Sequence, residues 1–262
     1  MHALVLLAVS LFIYMTGAFV VSLIRKDNGT ADIAYGGGFA LLAWLSYAIG
    51  EGTIISLLFS ILASVWALRL SLRIYFRGRG RPEDFRYKAW RDEWGKSFVL
   101  RSFLQVYLLQ GLVIFIVSLP LMVTALYVEV GAFLPLVVLG IMLWVIGFLF
   151  ETIGDAQLDQ FIKDVTNKGK LMTTGLWRYT RHPNYFGESL MWIALGGTAA
   201  LLLAFEGYVL LSALVLASPI LITFLLLKVS GVPMLEAKMK QHPDWNEYAS
   251  KTSVFVPWLP KG

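Results

Sequence analysis

The chain contains no cysteine, which excludes disulfides, thiolate nucleophiles and every cysteine-ligated zinc or iron–sulfur site. Histidine is almost as scarce. Only His2, His182 and His242 are present, too widely separated in sequence for a local metal motif, so no transition-metal site is expected. A Rossmann fingerprint is missing as well: Gly36, Gly37 and Gly38 precede an apolar helix, and Gly78 and Gly80 lie in a basic loop with no strand before them. No internal repeat of the kind that marks many transporters is visible. Polar segments are short, the longest being about twenty to thirty residues, so there is no separate soluble domain. Any chemistry must use loops and helix ends.

What is abundant is apolar surface. Of 262 residues 58% are hydrophobic and the mean hydropathy is +0.70, well above the roughly half-apolar usage of soluble domains. Apolar runs at approximately 3–24, 33–49, 53–76, 98–127, 131–153, 186–204 and 207–228 approach or exceed the roughly 20 residues needed to cross a bilayer. These predict an all-α fold, a single domain over 1–262 with seven transmembrane helices. Orientation follows from the loops, because Lys and Arg collect on the cytoplasmic side. All 22 basic residues fall on one side of that alternation, while the opposite loops carry only Glu51, Glu129 and Glu206. The expectation is an amino terminus outside and a carboxyl terminus in the cytoplasm. Arg25 and Lys26 follow the first apolar run rather than precede it, which reads as a retained helix and not a cleaved signal. The net charge of +5 is explained by topology and anionic lipid at the cytoplasmic face, not by nucleic acid.

The cofactor-binding elements are expected in 69–101, 151–192 and 228–258. The most informative stretch runs Gly175-Leu-Trp-Arg-Tyr-Thr-Arg-His-Pro-Asn-Tyr-Phe-Gly-Glu188. Pro183 suits a first helical turn, whose free N–H groups would face the cytoplasm. Arg178, Arg181 and His182 stand ready as additional donors for a phosphate or pyrophosphate; snorkelling to lipid headgroups is the plainer account of one or two of them. Asn184, Glu188 and Trp192 follow at spacing four and share a helix face. Polar groups at that depth usually face a bundle interior or a cavity, and an amide with a carboxylate suits a carboxamide ligand. Helix packing through hydrogen bonds is the alternative. Glu151, Asp155 and Asp159 form a second stripe, whose repulsion must be relieved by Arg or Lys, by ligand hydroxyls or by a divalent cation. The loop Arg77-Gly-Arg-Gly-Arg-Pro-Glu-Asp-Phe-Arg-Tyr87 adds concentrated positive charge with two glycines. Lys228 and Glu236 belong to the same side. The segment Trp245 to Trp258 is aromatic enough to lie along the membrane interface.

These motifs, together with the Glu-x-x-x-Asp-x-Gln-Leu segment from Glu151 and the Lys-Val-Ser-Gly-Val-Pro run from Lys228, resemble the bacterial relatives of the steroid 5-alpha-reductases over nearly the whole chain. The resemblance implies a seven-helix, NADPH-dependent reductase of a lipid or steroid-like enone in the bacterial inner membrane. It implies hydride transfer to the carbon beta to a carbonyl, followed by protonation of the alpha carbon. Asn184 and Glu188 would hold the nicotinamide carboxamide with Trp192 and Tyr185 beside them. Asp155 would be the nearby acid, and Arg69, Arg81, Arg178, Arg181, His182 and Lys228 would serve the phosphate side. Where the family has a tyrosine on its third helix this chain has Trp66, so Asp32 and Tyr35 on the second helix become the expected proton donors. The Arg-His-Pro-x-Tyr-x-Gly run also resembles the isoprenylcysteine carboxyl methyltransferases, which use S-adenosylmethionine. Those enzymes usually carry a Glu-Glu pair after the last helix, where only Glu236 stands here. Their cofactor has no phosphate to account for the arginines.

Overall fold

The computed structural model describes residues 2–129 and 133–261, and among these there is no strand, only one isolated bridge between Thr180 and Ser253. Residues 131 and 132, the expected start of the fifth span, lie outside the described residues. The order begins with α1 (His2–Arg25), α2 (Thr30–Ile49) and α3 (Ile54–Gly78). Thr53 caps α3 by accepting from the Ser56 N–H at 3.2 Å. Next comes α4 (Phe85–Trp94), whose cap is Asp84, bonded to the Arg86 N–H at 3.0 Å. Thus the last three residues of the expected basic loop, Phe85, Arg86 and Tyr87, are helical. Gly95, at φ +49°, ends α4 in a backbone region that favours glycine. The chain resumes as α5 (Phe98–Ser102), a π-helical turn over Phe103–Leu108, α6 (Leu109–Val117) and α7 (Leu119–Tyr127). Thereafter follow α8 (Leu134–Lys163), α9 (Pro183–Phe205), α10 (Val209–Val215), α11 (Ala217–Phe224), α12 (Val232–Met239) and α13 (Trp245–Lys251).

Among the described residues six helical runs are long and apolar enough to cross a membrane: His2–Arg25, Ile54–Gly78, Phe85–Val117, Leu134–Lys163, Pro183–Phe205 and Val209–Met239. The seventh expected crossing is helical, as α2, yet falls outside this set. Its composition explains why. Asp32, three glycines and Ser46 lower its hydropathy, and these are residues that suit contact with protein rather than lipid. The run Phe85–Val117 is likewise not one rod. Tyr87 and Gln110 both bond the same oxygen of Asp32, so α4 folds back beside α5 and α6, with Gly95 at the turn.

The chain divides into two compact units, residues 1–132 with 199–217 and residues 133–198 with 218–262. In the first, Gly36, Gly37 and Gly38 are the contact point of α2. A Cβ on Gly36 would lie 2.7 Å from the Ala67 carbonyl oxygen of α3, one on Gly37 would strike the Tyr14 hydroxyl of α1, and one on Gly38 would meet Ile114 of α6 at 2.9 Å. Serines knit α2 to α3: Ser60 donates to the Ala43 carbonyl at 3.1 Å, Ser71 to the Ile33 carbonyl at 2.9 Å, and Ser64 accepts from the Trp44 indole at 2.8 Å. Such interhelical bonds are worth about 0.6 kcal/mol each in a membrane protein.

In the second unit a glycine every seventh residue of α8 sets the seam with α9. Cβ atoms on Gly140, Gly147 and Gly154 would meet Thr198, the Gly187 carbonyl and Pro183 respectively, and one on Gly187 would come within 2.5 Å of the Glu151 backbone nitrogen. Because the obstruction at Gly147 and Gly187 is backbone, Gly187→Ala must push the helices apart. We expect it to destabilise the protein by about 1–3 kcal/mol, read as a lower thermal midpoint in detergent. Gly197→Ala, where a Cβ meets nothing within 4 Å, is the matched control and should be silent.

Candidate functional site

In the second unit the approach to α9 is built by its own tail. Gln157 of α8 accepts from the Leu176 N–H at 2.9 Å and the Trp177 indole donates to the Gly154 carbonyl at 3.0 Å, which tie the turn Gly175–Arg178 to α8. The tail then straps this loop. Tyr248 of α13 donates to the Trp177 carbonyl at 2.6 Å, the Thr180 hydroxyl to the Phe255 carbonyl at 2.8 Å, the Arg181 N–H to the Ser253 carbonyl at 2.8 Å, and the Trp258 N–H to the Tyr179 carbonyl at 3.0 Å. Trp245 and Tyr248 are buried, and burial pushes the Tyr248 phenol above its ordinary value. The first half of the segment expected along the membrane interface is thus packed into the unit, whereas Trp258 is exposed.

Arg181, expected on the phosphate side, is paired within the chain. Its side chain is 8% exposed, with Nε 2.9 Å from Glu236 Oε1 and Nη1 donating to the carbonyls of Ala249 at 3.0 Å and Thr252 at 2.7 Å. The Trp245 ring lies against it, 5.2 Å from Cζ to centroid. The guanidinium is committed to the tail. His182 is fully buried, its Nε2 is 3.2 Å from Glu236 Oε1 and its ring stacks on Tyr185 at 5.5 Å. Its Nδ1 is buried with no hydrogen-bond partner. Glu236, on α12, is the residue that sequence reasoning left without a role. A lone acid placed after the last long helix, opposite an Arg-His pair, was the available signal.

Burial lowers the His182 pKa below 6.5, with Glu236 acting in the opposite direction. The unfolded chain therefore binds a proton that the folded chain resists. Stability from this group is complete above about pH 6.5 and is lost as pH falls below it. We expect the melting midpoint to fall between pH 7.5 and 5.5, and His182→Gln to flatten that dependence.

Asn184, one residue into α9, donates from Nδ2 to Asp155 Oδ1 at 3.2 Å, while its own Oδ1 is buried without a partner. Glu151 and Asp155 are each 4% exposed and Trp192 2%. Glu188 lies one turn beyond Asn184 on α9 and is half-buried. The structure therefore brings Asn184 onto Asp155, leaving an amide oxygen with unused acceptor capacity among buried acids. Arg178 and Lys228 are exposed.

The first unit holds a separate polar site. A cavity of about 730 Å³ is lined by six arginines, Arg25, Arg73, Arg77, Arg79, Arg81 and Arg86, and by Asp27, Asp32, Glu83 and Asp84. Arg81 belongs to it and Arg69 does not. Asp32, the expected proton donor, lies at the wall of this cavity and accepts three hydrogen bonds. Arg86 Nη2 lies 2.9 Å from Oδ2, and the Tyr87 hydroxyl at 2.6 Å and Gln110 Nε2 at 3.2 Å share Oδ1. Tyr35, its expected partner, packs edge-on to Phe39 at 5.0 Å and does not line the cavity. Glu83 completes the arrangement by accepting from the Asn28 N–H at 2.9 Å and from Arg91 at 2.8 Å. The Glu83-Asp84-Phe85-Arg86-Tyr87 segment thus anchors α4 to the α1–α2 turn. Among the described residues no group of three or more His, Asp or Glu side chains is arranged to hold a metal ion.

Membrane-length helices with a buried amide–carboxylate pair on one unit and an arginine-lined cavity on the other define a helical protein with polar sites built at helix ends. The chain belongs to the family described as protein of unknown function DUF1295, whose model matches residues 18–252. No curated protein and no solved structure matches it.

Proposed function

We propose that this protein is an integral membrane reductase, using NADPH to reduce the C=C bond of an enone lipid, with the nicotinamide carboxamide held in the second unit by Asn184 and Glu188. The observation that carries the reading is the buried, unpartnered Oδ1 of Asn184 beside Asp155. A buried acceptor left without a donor costs about 1–3 kcal/mol, and a carboxamide N–H would satisfy it. Asp155 fixes the amide so that its oxygen is presented and its nitrogen is not. Glu188, a turn further along, is an acceptor for the second carboxamide hydrogen. The bound nicotinamide would supply hydride. The chain's own part is to orient that ring and to keep water away, and the buried Trp192 and Met191 suit the second task. Arg178 and Lys228, exposed on the same unit, are cations available to phosphate.

The topology that accompanies this reading is seven crossings, with α2 as the seventh, the amino terminus outside and the arginine-rich ends in the cytoplasm of a bacterial inner membrane. α2 has 20 residues, about 30 Å of helix, and that length is sufficient. Isothermal titration of the purified protein tests the cofactor, and NADPH oxidation across a panel of lipid enones tests the reaction. Saturable NADPH binding with enone-dependent oxidation is expected, with Glu188→Ala inactive. Saturable S-adenosylmethionine binding without NADPH binding would overturn the proposal in favour of a methyltransferase.

A further inference from the structure

The segment Glu83 to Tyr87 plays no part in that reading, yet it supplies two of the three hydrogen bonds on the Asp32 carboxylate. Asp32 is gripped from both oxygens. Tyr87 and Gln110 hold Oδ1, and Oδ2 is left facing Arg86, whose side chain is 34% exposed and whose Nε is shared with Asp84 at 2.9 Å. Both Asp32 and Arg86 line the arginine-rich cavity. A guanidinium in that position is a natural receptor for a phosphate oxygen, but here it is already occupied by a carboxylate of the same chain.

We propose that Asp32, held through Oδ1 by Tyr87 and Gln110, is a built-in competitor for Arg86 and so sets the affinity of the first-unit cavity for phosphate-class anions. It rests on the preceding reading only for the class of anion, because the competition is a property of the first unit alone. Tyr87 and Gln110 are positioning residues in this device. Each donor on Oδ1 draws charge density away from the Arg86 contact, so removing one strengthens the internal ion pair and weakens anion capture. Removing the charge of Asp32 does the reverse. The occupant we assign is a soluble phosphate ester rather than a lipid headgroup, since four acidic side chains share the cavity wall with the arginines and would oppose a dense anionic surface.

The test is titration of inorganic pyrophosphate into the full-length protein at low ionic strength, where screening is weakest. Relative to wild type, Asp32→Asn is expected to bind about fivefold more tightly, as for a partly exposed ion pair of about 1 kcal/mol. Tyr87→Phe should bind more weakly, and should have no effect in the Asp32→Asn background. Purely structural damage would weaken binding in all three. Should Asp32→Asn fail to fold, Gln110→Met must weaken binding in the same direction as Tyr87→Phe. Wild-type protein that binds no pyrophosphate, or Asp32→Asn with unchanged or weakened binding, overturns the proposal. Repeating the titration in phosphatidylcholine nanodiscs with and without phosphatidylglycerol separates the sources: unchanged affinity supports a soluble phosphate, and displacement by the anionic lipid overturns that assignment. Because pyrophosphate carries no nicotinamide, failure of NADPH to bind leaves this result readable, and the two proposals fail independently.

Discussion

Arg181→Met is expected to destabilise the protein by about 3 kcal/mol or more, the effect of stranding one partner of a buried ion pair. In a domain of this size that corresponds to a fall of roughly 10 °C in melting midpoint. The cause is local to the second unit. Glu236 would keep His182 as its partner but lose the guanidinium, and the Ala249 and Thr252 carbonyls would lose their donor. Since those carbonyls belong to the strap across residues 177–181, the damage extends to the loop that launches α9 and aims Asn184. Arg178→Met is the control, because that side chain is exposed, and it should melt within about 1 °C of wild type, as surface changes usually do. A thermal scan of both variants decides the matter: equal midpoints would show that Arg181 is not the keystone of the strap.

Asn184→Leu should lower NADPH affinity by about a hundredfold or more, as expected for losing hydrogen bonds within a buried, charged setting at about 1.5–3 kcal/mol each. The leucine fills a similar volume, so α9 keeps its packing, but Asp155 loses the Nδ2 donor and the carboxamide loses its acceptor. Asn184→Asp is the sharper variant. It restores an acceptor while placing a third acid beside Asp155 and Glu151, and like charges at such spacing repel; binding should be poorer than wild type and should improve as pH is lowered. Titration at two pH values separates the variants. Binding by Asn184→Leu within threefold of wild type would remove Asn184 from the site.

The helical class and the membrane habit are legible in the sequence because both depend on local composition. Hydropathy over about 20 residues and the 3.6-residue period need no partner to be read, and the faces carrying Glu151 with Asp155 and Asn184 with Glu188 follow from spacing alone. The seven-residue glycine repeat of α8 was equally readable and predicts a close helix contact, although not with which helix. α2 was read as a span from its apolar run, while its glycines and serines already pointed to protein neighbours.

Which charge takes which partner was decided by tertiary structure. Arg181 finds Glu236 55 positions away and the Thr252 carbonyl 71 positions away, and Asp32 finds Arg86 54 positions away. In the sequence each of those arginines has the same free guanidinium and the same claim on an anion. Only the packing that removes water from Arg181 and leaves Arg86 at a cavity wall distinguishes them, because a buried cation must be satisfied within the chain whereas a half-exposed one can still exchange its partner.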